Sequence, residues 1–204
     1  MTTGTARRRR SDGERSRSVI LHTAARLATV EGLDGLTIGR LAAETGMSKS
    51  GLFAHFGSKE ELQLATIATA EEIYEEEVLR PALQEEGRAR VEALCERFLS
   101  HVHRKVFPGG CFFASAAAEL DTRPGPVRDR VATDHREWLE LIEDSVRTAQ
   151  EHGELDRSVE PAQLTFELNA LLAEANGIFL LTGDARALDM ARRGIADRLE
   201  RAAA

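Results

Sequence analysis

Apolar residues recur along this chain at three- and four-residue intervals, and nowhere do they alternate with polar ones over the length of a strand, so the chain is predicted to be all-α. A first stripe of Ile20, Ala24, Leu27 and Ala28 follows the capping-box form Ser11 to Glu14 and closes near Gly32. Thr37 then caps a short helix carrying Ile38, Leu41 and Ala42, which stops at Gly46, a residue free to take the left-handed conformation of a sharp turn. Ser48 caps the next helix, with Leu52, Phe53 and Phe56 expected on its buried side, and Gly57 ends it. Ser58-Lys59-Glu60-Glu61 is a second capping box. It opens a helix expected to reach about Leu79, with Leu64, Ile67, Ala68, Tyr74 and Val78 inward and Pro81 ending or bending it. At about 1.5 Å per residue this rod spans roughly 30 Å.

The remainder repeats the same period. Val91, Leu94, Cys95, Phe98, Val102 and Val106 run until Pro108-Gly109-Gly110, and a short helix follows from Cys111 to about Leu120. Beyond Arg123-Pro124-Gly125-Pro126, a longer helix carries Val127, Val131, Trp138, Ile142, Val146 and Ala149. Pro161 opens a helix ending near Gly183, and Asp184 caps a last one with Leu188, Ala191, Ile195 and Leu199 on one face. About nine helices are expected. The penultimate one is apolar almost all round, through Leu164, Leu168, Leu171, Leu172, Ala175, Ile178, Phe179 and Leu180. With the final stripe it forms either an ordinary core helix or half of a four-helix bundle shared by two subunits.

The two serine and threonine caps bracket one tight turn, the arrangement of a helix-turn-helix DNA reader. Lys49, Ser50, Gly51, Ala54 and His55 face outward; small and polar side chains let a helix approach base edges in the major groove. In Leu36-Thr37-Ile38, Leu41 to Ser48, Leu52-Phe53-Ala54-His55-Phe56 and Ser58 to Leu62, the chain resembles the N-terminal domain of the TetR family of bacterial transcription regulators, over roughly Ser18 to Leu62. The resemblance implies three parts: a basic flexible arm over residues 1–17, a DNA-binding domain over 18–62, and a helical ligand-binding and dimerisation domain over 63–204. It also implies a homodimer on an inverted-repeat operator of double-stranded DNA, and most often repression. Lys49, Ser50 and His55 are candidates for groove contacts, and Thr37, Ser48, Phe53 and Lys59 for phosphate or backbone positioning. Three positions depart from the family pattern. Gly39 stands in place of an arginine, Gly51 in place of Thr or Ser, and Phe53 in place of Tyr. The Arg7–Arg10 run offers compensating phosphate contacts, or is a solvated terminus.

Charge sharpens this division. The 204 residues carry a net charge of -7, yet residues 1–60 hold ten Lys and Arg against six Asp and Glu, while residues 61–204 hold seventeen against twenty-eight. The cationic end is the predicted reader. With 42% hydrophobic residues the chain has enough for a core. The basic start leads into polar residues rather than a secretory apolar run, and no apolar stretch is expected to approach the ~20 residues of a membrane span. A cytoplasmic protein is expected.

The resemblance places an effector pocket among the central helices. Phe98, Phe107, Phe112, Phe113 and Trp138 are candidates for its apolar wall, although core packing explains each of them as well. Asp134 and His135 fall where an apolar residue is expected between Val131 and Trp138, while Thr165, Asn169 and Asn176 share a face with Leu172. The two asparagines fit a ligand contact or a subunit hydrogen bond equally. A mostly apolar ligand with one or two polar handles is expected, and no cofactor. Cys95 and Cys111 raise the alternative of a redox-sensing repressor. Cys111 follows two glycines at a helix start, where the dipole favours thiolate, against the reading of buried structural cysteines. His101 and His103, two apart, point to different sides of a helix and predict no metal site. No nucleophile elbow, phosphate loop or zinc motif is present, so an enzyme is not expected. A DNA-binding architectural protein without a ligand is the remaining alternative.

Overall fold

Nine helical rods, with no strand among the described residues, make up the computed structural model, which describes residues 3–204 and their side chains from residue 13 onward. Helix α1 (Thr3–Glu31) starts well before Ser11, because Ala6 to Arg10 are strong helix formers with no proline among them. The Arg7–Arg10 run therefore lies on helical backbone, and its side chains fall outside the described residues. Helices α2 (Ile38–Thr45) and α3 (Lys49–Phe53) form the helix-turn-helix around Gly46 at φ 68°. Helix α3 is shorter than expected: the Ala54 and His55 N–H groups reach back to Ser50 and Leu52 and close it at Phe53. Leu52 and Phe56, four apart, share the buried side, whereas Phe53 is turned out and 65% exposed, which corrects its expected inward placement.

Helix α4 (Lys59–Tyr74) does not stop at its end but runs through one π-helical turn, Glu75–Leu79, into Arg80–Ala82. The wide turn comes just ahead of Pro81, whose missing N–H and bulky ring break the regular ladder. Helices α5 (Gly87–His103), α6 (Phe112–Leu120), α7 (Pro126–Glu151), α8 (Pro161–Thr182) and α9 (Arg186–Glu200) complete the body. The cap expected at Asp184 falls one residue later, on Ala185, which offers no side-chain acceptor; Asp184, just ahead of it, accepts from the Arg186 N–H at 3.0 Å.

Two buried apolar clusters divide the molecule unevenly along the chain. The larger belongs to the body and includes Leu94, Phe98, Ile142, Val146, Leu168, Leu172 and Leu199. The other centres on the reader, with Ile20, Ala24, Leu41, Leu52 and Phe56, but it also takes in Phe107, Phe112, Ala116, Leu120, Val127 and Val131 from beyond residue 100. Reader and body therefore share a core. Polar contacts reinforce the junction: Glu119 on α6 accepts from the Leu33 and Asp34 N–H groups at 2.7 and 2.8 Å. Arg123 pairs with Asp34, and Gly109 N–H donates to Thr29 Oγ1 at 3.0 Å.

Two expectations about α8 change. By length and composition it is apolar enough to cross a membrane, contrary to the sequence reading. Its Leu164, Leu168, Leu172, Ala175 and Phe179 lie in the chain's own core, so they do not form a subunit contact. The outward stripe is instead Phe166, Ala170, Ala173, Gly177 and Leu181, joined by Met190 of α9. Phe166 is 67% exposed and Leu181 88%.

Gly109 allows the junction to close, because a Cβ there would lie 1.8 Å from the Thr29 carbonyl oxygen. Gly109→Ala is expected to cost about 2 kcal/mol or more of folding stability, read from chemical denaturation, since backbone must move to admit it. A loss below about 0.5 kcal/mol, the range of ordinary surface changes, would contradict the junction as described.

Candidate DNA interface and effector cavity

The reader is held in shape by its caps. Thr37 Oγ1 accepts from Arg40 N–H at 3.1 Å, Ser48 Oγ from Gly51 N–H at 3.1 Å, and Ser58 Oγ from Glu61 N–H at 3.0 Å. Each satisfies an otherwise orphaned amide at a helix start. Glu61 closes its box one residue early, accepting from Gly57 N–H at 2.9 Å. Lys49, Ser50 and Phe53 are exposed on one side of α3, and His55 is half-buried against Phe56.

The departure at Gly39 acquires a physical sense. The Lys49 ammonium lies 3.8 Å from where a Cβ of residue 39 would sit, so its charge hangs over the open space of α2 that an arginine would otherwise fill. Lys59 is committed elsewhere: its ammonium donates to the Asp34 carbonyl at 2.8 Å and fixes the start of α4 against the α1–α2 turn. Arg40, unmarked in the sequence reading, is spent on Glu31 and Glu44 at 2.8 Å each. Arg17, also unmarked, stacks its guanidinium 5.2 Å from the Phe56 ring centre, a basic group brought to the reader by α1.

The body holds a cavity of about 610 Å³ bounded by α4, its π-helical turn and helices α5 to α8. Of the nine residues predicted to meet a ligand, Phe98, Phe113, Asp134, His135, Trp138 and Asn169 line it. Phe107, Phe112 and Asn176 do not. Both phenylalanines are buried in the reader-side core, and Asn176 Oδ1 accepts from the Cys111 N–H at 3.1 Å, tying α8 to the start of α6. That bond lies within one chain, so Asn176 serves neither a subunit contact nor the cavity. Tyr74 was expected inward, and it stands at the centre of the wall, edge-on to Phe113 at 5.5 Å and to Trp138 at 5.8 Å. Trp138 donates its only N–H to Asn169 Oδ1 at 3.0 Å, so the indole offers the cavity its apolar ring.

The polar side of the cavity was missed in part. Glu71 of α4 and Asp134 of α7 are bridged by Arg130, whose Nε meets Asp134 Oδ1 at 3.0 Å and whose Nη2 meets Glu71. The i,i+4 spacing of Arg130 and Asp134 was the available signal; the approach of Glu71 from another helix left none. Burial, then the nearby Glu71 charge, raises the Asp134 carboxyl to about 6, with Arg130 opposing both. Both cysteines are buried, as the structural reading has it, and Cys111 departs from the helix-start alternative. Burial pushes Cys111 up despite hydrogen bonds from the Phe113 and Ala114 amides, and pushes Cys95 up to about 12, helped by Glu92 and Glu96. A buried, protonated thiol is a poor nucleophile, which agrees with the structural reading of both cysteines.

Residues 20–66 match the family model for bacterial regulatory proteins of the tetR family, and residues 87–195 match that for the tetracyclin repressor-like C-terminal domain. The chain belongs to the TetR family. It is thus a DNA-binding transcription regulator whose N-terminal helix-turn-helix precedes a helical C-terminal domain. A TetR regulator from Chloroflexus aurantiacus is similar in structure, at 28% identity and TM-score 0.87, covering 95% of this chain and 98% of that one. AibR, solved with isovaleryl coenzyme A and operator DNA, shares the fold at 24% identity and TM-score 0.70, over 86% and 96% of the two chains. A putative regulator from Saccharomonospora viridis, solved with choline, does so at 22% identity and TM-score 0.74, over 92% and 96%. The curated proteins include no match.

In this TetR-family chain Asp134 has a stability cost of known sign. Its ordinary value is 3.8 and its folded value about 6, so the fold holds the proton more tightly. That contribution is complete below the ordinary value and is lost as pH rises through about 6. Asp134→Asn is expected to raise stability by on the order of 1 kcal/mol at pH 8 and hardly at all at pH 4. Denaturation midpoints at the two pH values check this, and equal gains at both would contradict it.

Proposed function

We propose that this protein is a ligand-responsive, sequence-specific repressor, a homodimer that leaves a palindromic operator when a small, mostly apolar molecule with polar handles enters the body. The observation that carries the reading is the cavity of about 610 Å³, walled by the same α4 and α6 that hold the reader. Lys49 and Ser50, with His55 beside them, supply the groove contacts. Thr37 and Ser48 fix the two helices, Phe53 packs toward the backbone, and Lys59 sets the angle of α4. The Arg7–Arg10 run adds phosphate contacts in the cytoplasm, where the operator lies.

The dimer rests on the outward stripe of α8 and α9. Phe166, Leu181 and Met190 are large apolar side chains left exposed, and Ala170, Ala173 and Gly177 between them let a second helix approach closely. Two readers held about 34 Å apart turn a weak half-site into recognition of an inverted repeat. The ligand prefers a body whose α4 rods set the readers at another spacing, and its differential affinity moves the population. Isovaleryl coenzyme A and choline, bound by regulators of this fold, differ in size and charge. The lining therefore selects the ligand, and the fold alone does not.

Two measurements test the reading. In anisotropy titrations, Lys49→Ala is expected to cost about 1–3 kcal/mol on the operator and to relax preference at one base step. Lys59→Ala is expected to weaken all duplexes alike, and identical patterns from the two variants would refute the division of roles. Phe166→Glu with Leu181→Glu is expected to give a folded monomer in equilibrium sedimentation that no longer prefers an inverted repeat to a single half-site. A dimer that survives both changes would remove α8 from the interface.

A further inference from the structure

The cavity wall sets acidic side chains beside aromatic ones on α4 and α7, and the acidic group is unfinished. Arg130 engages Asp134 Oδ1 and one oxygen of Glu71. The remaining oxygens, Asp134 Oδ2 and Glu71 Oε1, are buried with no hydrogen-bond donor. The Asp134 side chain is 9% exposed, and such an acceptor carries a desolvation cost that a ligand can relieve. A hydrogen bond between the two carboxyls is possible only while one of them keeps a proton. Once both ionise, two carboxylates share one guanidinium and the pair lacks one positive charge.

The surrounding lining does not supply that charge. Glu75 and Glu137 also border the cavity, while Arg130 is its single basic side chain apart from His135. An anion would meet these carboxylates, and a neutral molecule would leave the deficit in place. One turn along the same two helices, α4 and α7, Tyr74 follows Glu71 and Trp138 follows Asp134; Trp138 lies stacked 6.2 Å from Phe98 and edge-on to Tyr74, a set of aromatic rings that attracts organic cations and covers apolar carbon. Among the described residues no cluster of three His, Cys, Asp or Glu is arranged to hold a metal ion, so the missing charge is assigned to an organic group.

We propose that the effector is a protonated amine with an apolar or aromatic body, its ammonium pairing with the Asp134 and Glu71 carboxyls, which turn about their side-chain bonds to present Oδ2 and Oε1 to it, while the body lies against Tyr74 and Trp138. This names the ligand class of the cavity assigned above and rests on that assignment. A primary or secondary ammonium suits the site better than a quaternary one, because two acceptors await donors and a quaternary nitrogen has none.

Trp138 is the only tryptophan, so its fluorescence reports occupancy of the cavity in the full-length protein. Four probes of one carbon skeleton separate the contributions: phenylbutylammonium, phenylbutyltrimethylammonium, phenylbutanol and phenylbutyrate. The ammonium is expected to bind about tenfold or more tighter than the alcohol, the worth of a charge-assisted hydrogen bond, with the quaternary ion between them and the carboxylate weakest. Asp134→Asn is expected to remove most of the ammonium preference while leaving alcohol binding within about twofold, which also shows that the variant folds. Should that variant fail to bind the alcohol, Glu71→Gln provides the same comparison. Tightest binding by the carboxylate, or an ammonium preference untouched by either substitution, overturns the proposal. Equal binding of alcohol and ammonium overturns it while leaving the cavity assignment standing; binding of none of the four overturns both.

Discussion

The structure depends on an apolar contact that ignores the boundary between its two parts. Phe107, Phe112, Ala116 and Leu120 come from the region after residue 100, yet they fill the core beneath α1 and the helix-turn-helix. A reader whose α2 and α3 are only eight and five residues long buries little surface by itself. Borrowed side chains supply the missing core. The same α6 presents Phe113 to both apolar clusters and Glu119 to the α1–α2 turn, so its position is registered in the sensor and in the reader together.

Around that contact, each polar device has a structural task and a degree of completeness. The caps at Thr37, Ser48 and Ser58 are satisfied, and so is the Lys59 to Asp34 link. The Glu71, Arg130 and Asp134 group is not, and it borders the cavity of about 610 Å³. An acceptor left unpaired in the interior keeps its desolvation cost. The π-helical turn of α4 falls on the same wall, through Glu75 and Leu79, where an irregular helix widens the space between rods.

Local signals in the chain proved dependable where the physics is local. Helix starts at Ser48, Ser58 and Pro161 and stops at Gly46 and Gly183 follow from caps, proline and left-handed glycine, all within a few residues. Side-chain destinations at longer range were legible only in part. A helical stripe says that Phe107 and Phe112 are buried, not which of two cores receives them. Asn176 looks like a ligand handle until its partner, the Cys111 amide 65 positions away, is known. Phe53 was misplaced for a nearer reason: α3 ends so soon that the pattern of a full-length helix does not apply. For the cysteines the reading as buried structural residues holds, because a helix start such as that at Cys111 favours thiolate only if solvent is near, and both are buried.

The ring of Phe113, packed against both clusters, bears on how such a protein can be taken apart. A cut at residue 62 would strand apolar surface on each fragment, so the segment that binds DNA is not a detachable cassette. Anyone transplanting it onto a foreign sensor has to carry over the matching face of α6, or rebuild that face in the host. Exchange of whole domains meets the same obstacle wherever the new partner lacks a face to match.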